Sequence, residues 1–283
     1  MIIIFTKKKL VIKTVCAAFL CLFVFHFFIP KAEVIPTASM NNPKGYIAVI
    51  IDDFGYDGDG TEEMLALDIP LTAAIMPFSE KSAQDSQAVD AAGKETIIHM
   101  PMESLTGKKE WVGNKGVFRT MSNEEIKQRV NEACEILPSA KGINNHMGSA
   151  IMEDERSITT VIEAAAERGL TFIDSKTTPK SKAKTACDTY GVSYLDRDVF
   201  LDSTDDINVV KKQLLKAQDI ALKNGYAIAI GHVGPEGGKI TAQAIKELAP
   251  EIQKSGIQFV TVSQMKEIIL IAEKEKTQKT GKR

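Results

Sequence analysis

Three of the four histidines stand at the ends of apolar, β-branched runs, where a buried strand would stop. His99 follows ETII, His146 follows GINN, and His232 closes AIAIGH. Two adjacent carboxylates, Asp52 and Asp53, end the run AVIIDD in the same way. Imidazoles and carboxylates are ligands of catalytic zinc and also serve as general acids and bases. The pattern therefore predicts a metal site combined with an acid–base pair.

The runs that carry these residues alternate with helical patterns along the chain. Several runs are apolar throughout, which is typical of parallel strands buried on both faces. Strands are predicted at Tyr46–Asp52, Leu71–Pro77, Glu95–Met100, Gly142–His146, Leu170–Asp174, Val192–Asp196, Tyr226–His232 and Gln258–Val262.

Local signals set the ends of the helices between them. Ser122-x-x-Glu125 is a capping box, and Pro138 stops the helix that it opens. Glycine follows the next two helical patterns, and a proline falls inside the last. These three predicted helices are Glu153–Arg168, Asp205–Asn224 and Lys239–Lys254.

About eight βα units in roughly 240 residues predict an α/β fold, namely a distorted or incomplete (β/α) barrel with parallel strands. A doubly wound open sheet is the alternative. In a barrel, the C-terminal ends of the strands form one face, and that face holds the active site. The histidines and aspartates would then converge on one rim.

Each of these residues also has a structural explanation. A single histidine at a strand end is more often a hydrogen-bonded structural group than a ligand. Asp52 and Asp53 could be a helix cap and its solvated neighbour, and Asp174, at the end of TFID, could likewise only cap a helix. Against this, adjacent carboxylates after a buried strand point in different directions, so one can bind a cation while the other faces a substrate.

Other catalytic motifs are not supported by their surroundings. Asp53-Phe54-Gly55 spells the magnesium motif of kinases, but the sequence has neither the glycine-rich loop nor the H-R-D loop that accompanies it. G-x-S-x-G and H-E-x-x-H are both absent from the sequence. A serine hydrolase is therefore disfavoured.

The segments IAVIIDDFG, LTAAIMP, IIHMPME, GINNHMGS, TFIDS, RDVFLD and AIAIGH, in this order, resemble the divergent polysaccharide deacetylase family. That family is an outlying branch of the carbohydrate esterase family 4 superfamily, and the resemblance spans roughly residues 45–265. Members of the superfamily share a distorted (β/α) barrel. They use a divalent metal, usually zinc, to remove acetyl groups from N-acetylated sugars.

The resemblance implies a role for each matching residue. Asp52 corresponds to the general base and Asp53 to a metal ligand, while His232 corresponds to the general acid. The superfamily usually takes two ligands from one H-x-x-x-H turn, which this sequence lacks. His99 and His146 would therefore supply them from separate strands.

Three further residues are supporting candidates. The expected R-x-P-Y motif is missing, and Arg197 in LDRD is a candidate replacement. Asn145 lies in the NNHMGS segment, and Asp174 lies in TFIDS.

A hydrolytic mechanism follows from this set of residues. Zinc held by three protein groups keeps a position open for water and lowers the pKa of that water to about 7. Asp52 would take a proton as this water attacks an acetamide carbonyl, and His232 would protonate the departing amine. Trp111, Phe118 and Tyr56 are candidate surfaces for stacking against sugars, although an ordinary loop or interface aromatic is the slightly favoured explanation of Trp111.

The sequence thus predicts a deacetylase-like hydrolase of N-acetylated envelope or extracellular polysaccharide, with Zn²⁺ or another divalent metal as cofactor and a glycan as substrate. The alternative is a non-catalytic envelope protein with a degenerate deacetylase barrel, which binds glycan or a cell-wall enzyme partner. A metal-dependent hydrolase of another amide or ester is a third interpretation.

The first part of the chain is predicted to be an export signal. The apolar run Thr14–Ile29 follows four lysines, Lys7, Lys8, Lys9 and Lys13, as in a signal peptide or a signal anchor. Residues 10–29 are long enough to anchor the protein in a membrane. Lysines remain on the cytoplasmic side, so the rest of the chain is expected to be extracytoplasmic, that is periplasmic, on the cell surface or secreted.

The predicted organisation is a signal peptide or anchor at 1–29, a linker at 30–44, the barrel at 45–268 and a charged tail at 269–283. Beyond residue 39 the chain carries 30 basic and 36 acidic residues, a net charge of −6. Nucleic-acid binding is disfavoured because it normally requires a basic face. Two cysteines remain in this part, Cys134 and Cys187, which excludes a disulfide-rich scaffold.

Overall fold

The computed structural model describes residues 43–235 and 237–280. Its strands are β1 (Gly45–Phe54), β2 (Thr72–Ile75), β3 (Glu95–Met102), β4 (Gly142–Met147), β5 (Thr171–Asp174), β6 (Tyr194–Asp196), β7 (Val199–Phe200), β8 (Tyr226–His232) and β9 (Ile257–Val260). Its helices are α1 (Thr61–Leu65), α2 (Ser82–Ala91), α3 (Lys109–Val112), α4 (Asn123–Ile136), α5 (Ser149–Glu153), α6 (Glu155–Glu167), α7 (Ala183–Tyr190), α8 (Ile207–Asn224), α9 (Gly238–Lys254) and α10 (Val262–Thr280).

The strands pair in parallel in the order β6-β5-β4-β3-β2-β1-β8-β7, and β9 pairs with the first half of β1. The two edge strands, β6 and β7, are separated in the chain only by Arg197 and Asp198. A flat sheet of eight strands would hold its edges more than about 30 Å apart. The connecting residues span only about 10 Å, so the sheet must curl until its edges approach.

Backbone hydrogen bonds show how the chain passes from edge strand β6 to edge strand β7, a junction that we call the seam of the barrel. The Arg197 amide donates to the Asp174 carbonyl of β5 at 3.1 Å, and the Asp198 amide donates to the Ile228 carbonyl of β8 at 2.9 Å. One extended segment therefore passes from one edge of the sheet to the other. The predicted distorted (β/α) barrel is confirmed, and the open doubly wound alternative does not describe this closure.

Both faces of the central strands are buried, which explains their continuous apolar runs. In β1, Ile47, Val49 and Ile51 belong to a large cluster that the outer helices share. Ala48 and Ile50 belong to a second cluster, to which the other strands contribute on the inside of the barrel. The inward residues of those strands include Ala74, Ile97, Ile173, Leu195, Ile228 and Ile230.

The same alternation places polar side chains above this aliphatic interior. Side chains two residues apart share one face of a strand. Asp52 therefore continues the inward series of β1, His99 follows Ile97, and His232 follows Ile230. The C-terminal rim of the barrel thus receives the residues that the sequence singled out.

Most predicted elements are present with small shifts of their ends. The α4 helix has the predicted capping box at Ser122. The helix predicted at Glu153–Arg168 is α6, which begins two residues later because the side chain of Asp154 accepts a hydrogen bond from the Ser157 amide and caps it. Glu153 is the last residue of the preceding short helix, α5. The two-residue strand β7 was not predicted.

At the C-terminal end, Val262 begins α10 rather than ending the last strand. Most of the charged segment predicted from residue 269 lies in this helix. The predicted N-terminal hydrophobic helix, with the export segment 1–29 and most of the linker 30–44, lies outside the described residues. Within the described ranges, no helix combines the length and apolar character needed to span a membrane. Cys134 and Cys187 are both free thiols.

Candidate active site

Three donor atoms from three strands meet at the rim. Oδ1 of Asp53 lies 3.2 Å from Nε2 of His99 and 3.1 Å from Nδ1 of His146. The two imidazole nitrogens are themselves 3.1 Å apart. These residues are brought together from β1, β3 and β4, although 46 and 47 positions of sequence separate them.

This triangle fits a small divalent cation. Tetrahedral ligands at about 2.0–2.1 Å from zinc lie about 3.3 Å from one another, close to the three distances found here. Oδ1 of Asp53 is buried and accepts no hydrogen bond, although two imidazole nitrogens lie beside it. A buried carboxylate oxygen without a hydrogen-bond partner is costly unless a cation completes its surroundings. Two imidazoles and one carboxylate are also a ligand set of catalytic zinc.

A bulge in β1 brings both adjacent aspartates to the rim. Regular alternation would point Asp53 away from the barrel interior, on the side opposite to Asp52. The register of β1 against β2 shifts between Ile51 and Phe54, and Asp53 has a φ of 68°. Bulges commonly re-aim side chains beside active sites. Here the bulge turns the Asp53 carboxylate toward the two histidines.

The side-chain amide of Asn144 connects His99 of the donor triangle to Asp52. Nδ1 of His99 lies 2.7 Å from Oδ1 of Asn144, and Nδ2 of Asn144 donates to Oδ1 of Asp52 at 2.8 Å. All three side chains are buried. The Nδ1 partner of His99 leaves its Nε2 directed at Asp53, which is the usual arrangement for a metal-binding histidine.

A histidine–aspartate pair, His232 and Asp202, lies on the other side of Asp52. Asp52 and His232 face each other in register across β1 and β8. Oδ1 of Asp202 lies 2.9 Å from Nδ1 of His232. Oδ2 of Asp202 accepts from the His232 amide at 2.7 Å and from the Thr241 hydroxyl at 2.9 Å. Asp202 is thus fully bonded, and it fixes the orientation of the His232 ring.

The adjacent aspartates differ in acidity. Burial raises the pKa of the Asp52 carboxyl above its usual range, although charges on His99 and His232 act in the opposite direction. Burial would do the same at Asp53, but the adjacent rings of His146 and His99 lower the pKa of Asp53 well below its usual range. Asp53 is therefore an anion suited to a cation, and Asp52 is a carboxylate suited to accepting a proton.

His232 is held in the protonated form. Burial disfavours a charged ring, but the Asp202 hydrogen bond and the charges of Asp52 and Asp202 raise the pKa of His232 to about 9. A ring with this pKa carries its acidic proton at neutral pH. It is thus equipped to act as a general acid.

A cleft of about 590 Å³ opens over the triangle. Asp53 and His146 lie in its wall, together with Tyr56, Trp111 and several apolar side chains. Tyr56 and Trp111 are 58% and 60% exposed, so their rings are available to a ligand. Phe118, the third aromatic candidate, lines a different cavity.

The supporting candidates occupy separate positions around this site. Arg197 donates to the Ser175 carbonyl at 2.9 Å, and it lies close enough to Asp52 for that carboxylate to oppose the lowering of the Arg197 pKa by burial. Asp174 accepts from the Lys176 amide at 2.7 Å and from the Tyr194 hydroxyl at 3.1 Å, which is a structural role in a turn.

Asn145 also bonds away from the triangle. Its Nδ2 donates to the Met147 carbonyl at 2.7 Å, and its Oδ1 accepts from the backbone N–H of Ser175 at 3.0 Å. Asn145 therefore connects the loops that follow β4 and β5. The amide that contacts the proposed ligand and base is its neighbour Asn144. The alternation of side chains along β4 could have identified Asn144 from the sequence, because Asn144 shares a face with His146 whereas Asn145 does not.

Asp202 is the other residue that sequence reasoning did not assign. It ends the RDVFLD segment, just beyond the two-residue β7. A strand this short has no periodicity from which a facing side chain can be inferred. Only the closure of the barrel brings Asp202 beside His232.

Comparison with known proteins gives the following likenesses. Residues 49–266 match the family model of the divergent polysaccharide deacetylases. An uncharacterized protein of Haemophilus influenzae is 34% identical over 211 residues, which are 75% of this chain and 75% of that protein.

Solved structures share the fold. A structure of an uncharacterized protein from Agrobacterium tumefaciens has a TM-score of 0.72 at 19% identity, over 80% of this chain and 91% of that one. A peptidoglycan N-acetylglucosamine deacetylase has a TM-score of 0.51 at 14% identity, over 79% and 88% of the two chains. At these identities the likeness concerns the fold alone.

Proposed function

The chain belongs to the divergent polysaccharide deacetylase family, as its motifs predicted, and on this basis we propose that it is a metal-dependent hydrolase of an N-acetylated polysaccharide in the cell envelope or outside the cell. The bond cleaved is the carbon–nitrogen bond of an acetamide. The family supports a hydrolase of this kind. The metal dependence, the activity and the residue roles are the proposed part.

One observation carries the proposal: a triangle of metal donors lies directly beside a buried carboxylate that has no role in the triangle. Asp53, His99 and His146 would hold the ion. A divalent ion bound there supplies Lewis-acid polarisation of a carbonyl and lowers the pKa of a water molecule. Asp52 is adjacent in sequence to a ligand and is joined to His99 through Asn144, so it stands next to the reacting atoms.

The chain's own residues account for the proton transfers. Asp52, whose pKa is raised by burial, accepts the proton of the attacking water. His232, whose pKa is raised to about 9, donates a proton to the departing amine. The proton lost by the nucleophile thus remains on Asp52, while the leaving group takes one from His232. Proton return between the two groups restores the resting state.

The cleft supports a glycan as the substrate. Tyr56 and Trp111 present exposed rings beside the donor triangle, and aromatic faces pack against the apolar faces of sugar rings. A hexose unit bound there would hold its acetamido group toward Asp53 and His146. The peptidoglycan N-acetylglucosamine deacetylase with the same fold acts on a substrate of this class.

The proposal includes a location outside the cytoplasm. The lysines and the apolar run in residues 1–29 support export, and residues 10–29 would serve as the anchor if they are not cleaved. A reporter that is active only after export, fused behind Arg283, is expected to be active in cells. A reporter signal confined to the cytosol would contradict this location.

The decisive experiment pairs metal analysis with acetate release. Residues 40–283 are purified, loaded with Zn²⁺ and assayed on N-acetylated oligosaccharides for free acetate and free amine. We expect one ion per chain and metal-dependent release of both products in equal amounts. If the ion binds and no N-acetylated glycan is deacetylated, the chain is a non-catalytic envelope protein that binds glycan or a cell-wall enzyme.

A further inference from the structure

The buried amide of Asn144 lies between the two halves of the site. Its oxygen is 2.7 Å from Nδ1 of His99, and its nitrogen donates to Oδ1 of Asp52 at 2.8 Å. Asn144 is fully buried, and His99 and Asp52 are each only 2% exposed. Solvent therefore does not compete for either bond.

The two ends of an amide differ chemically, and this fixes the polarity of the chain of bonds. An ionised carboxylate only accepts hydrogen bonds, so Asp52 must face the NH₂ end of Asn144. The oxygen of Asn144 then faces His99, whose Nδ1 must carry the proton in order to donate to it. In the neutral ring, Nε2 is consequently left with a lone pair, which is directed toward Asp53 and His146.

A reversed amide would reverse this outcome. With its NH₂ end toward His99, Asn144 would require a lone pair on Nδ1, and the proton of the neutral ring would move to Nε2. That proton would then point into the donor triangle, where it excludes a cation. The orientation of one amide therefore decides whether His99 is a ligand.

We propose that Asn144 is a positioning residue that locks His99 in the tautomer that binds metal and at the same time holds the carboxylate of Asp52. The inference rests on the proposed function, in which His99 is a ligand and Asp52 is the base. It goes beyond that function because it assigns the coupling between ligand and base to a side chain in neither role. Outer partners of metal-binding histidines typically contribute 10–100-fold to metal affinity.

Two substitutions separate the two bonds. Asn144→Leu keeps the approximate volume and removes both bonds. Asn144→Asp keeps an acceptor for Nδ1–H of His99 but cannot donate to Asp52 when it is ionised. Thr96→Val is the matched control, because Thr96 is buried near the start of β3, where it pairs with Ala73, and its hydroxyl has no hydrogen-bond partner.

The first measurement is zinc affinity by competition with a chelator, using the full chain. We expect Asn144→Leu to weaken zinc binding about 10–100-fold, while Asn144→Asp and Thr96→Val stay within a few-fold of wild type. The second measurement is the ¹⁵N spectrum of the imidazoles in zinc-loaded protein. It should show a protonated Nδ1 and a metal-bound Nε2 for His99 in wild type and in Asn144→Asp.

The third measurement is deacetylation by the variants. Asn144→Asp should lose turnover although its zinc site is occupied, because nothing then holds the Asp52 carboxylate. The melting temperature identifies any variant that fails to fold, and Asn144→Asp then remains as the test. The proposal is overturned if Asn144→Leu binds zinc like wild type, if Asn144→Asp weakens zinc binding as much as Asn144→Leu does, or if His99 binds through Nδ1.

These readouts distinguish the inference from the proposed function. If no glycan is deacetylated but the order of zinc affinities holds, the positioning role stands and the enzymatic function fails. If deacetylation occurs in wild type and in Asn144→Leu at equal rates and zinc affinities, the function stands and the positioning role fails.

Discussion

The two sides of the rim use the same side chain for different chemistry. On the β3–β4 side, the Nδ1 atom of His99 faces the neutral amide of Asn144. On the β8 side, the Nδ1 atom of His232 faces the carboxylate of Asp202. Both rings are buried and both lie near Asp52. The difference is the charge of the Nδ1 partner.

This difference assigns a role to each ring. A carboxylate stabilises an imidazolium, so Asp202 helps to keep the acidic proton on His232. The amide oxygen of Asn144 also accepts the Nδ1 proton of His99 but carries no full negative charge, and a metal requires the neutral ring with Nε2 unprotonated. In the proposed mechanism, the donor triangle that includes His99 would bind the cation and His232 would donate the proton, on the two sides of the base Asp52.

The largest effect is expected from removing one donor of the proposed cation site. His146→Ala removes one of three donors, so the chain should lose stoichiometric zinc. Deacetylation should fall by at least about 10³-fold, because a Lewis acid contributes several kcal/mol to such a reaction. The fold should persist, since the ligands lie on the rim and the aliphatic interior lies below them.

Metal content, activity and the melting temperature of the metal-free proteins test this expectation together. Asp59→Ala is the control, because Asp59 is an exposed acidic residue of the same rim that pairs with Lys239. Gross unfolding of His146→Ala without metal would mean that His146 is a structural group rather than a ligand.

The next effect concerns the base and the acid. Asp52→Asn and His232→Ala should each lower acetate release by about 10²–10⁴-fold, the usual contribution of a general acid or base. Zinc content should stay near wild type in both, because neither side chain belongs to the donor triangle. Loss of zinc in Asp52→Asn but not in Asp53→Asn would show that the roles of the two aspartates are reversed.

Much of this arrangement could be predicted from the sequence, for a simple geometric reason. Parallel strands that alternate with helices place their C-terminal ends at one rim, and the period of two within each strand selects the inward side chains. From Ile97 this places His99 at the rim, and from Ile230 it places His232 there. The fold and the meeting of these histidines at one rim need no further information.

The rest depends on contacts that no local pattern encodes. The inward turn of Asp53 requires a bulge and a positive φ, and neither is specified by the letters of IIDDFG. Asp202 reaches His232 only because two residues carry the chain across the seam between β6 and β7. The period of two places Asn144, and not the predicted Asn145, on the same face of β4 as His146.

A smaller effect should follow from removing the carboxylate that holds His232. Asp202→Asn should lower the pKa of His232 from about 9, since only the charges of Asp52 and Asp53 then oppose the effect of burial. Turnover should fall by about 10–100-fold, less than on loss of the ring itself. An NMR titration of His232 in the metal-free protein measures the pKa, with Asp205→Asn as the control because Asp205 is exposed.

The same pair predicts the sign of a pH effect on folding. The folded pKa of His232 is about 9 and the unfolded value is 6.5, so the folded state holds the proton more tightly. The contribution of the pair to stability is fully present below pH 6.5 and is lost as the pH rises through about 9. Denaturant titrations of the metal-free protein should show a larger decline in wild type than in Asp202→Asn. Equal declines in both proteins would contradict the assignment.

The smallest effect is expected at the cleft, where the two sides of the rim meet the substrate. Trp111 is 60% exposed and lies in the cleft wall with Asp53 and His146. Its ring would pack against a sugar equally in the ground state and in the transition state, so its loss should raise KM and leave kcat nearly unchanged. An aromatic contact contributes about 0.5–1.5 kcal/mol, so Trp111→Ala should raise KM about two- to twelve-fold.

Phe118→Ala is the matched control, because Phe118 was an equal candidate in the sequence but lines a separate cavity. It should leave KM and kcat unchanged. Steady-state kinetics on an N-acetylated oligosaccharide of fixed length measures both parameters. A fall in kcat for Trp111→Ala would mean that the ring orients the acetamide for attack. Equal KM values for the two variants would mean that the glycan binds elsewhere on the rim. Either result would change which residues are assigned to substrate binding and which to catalysis.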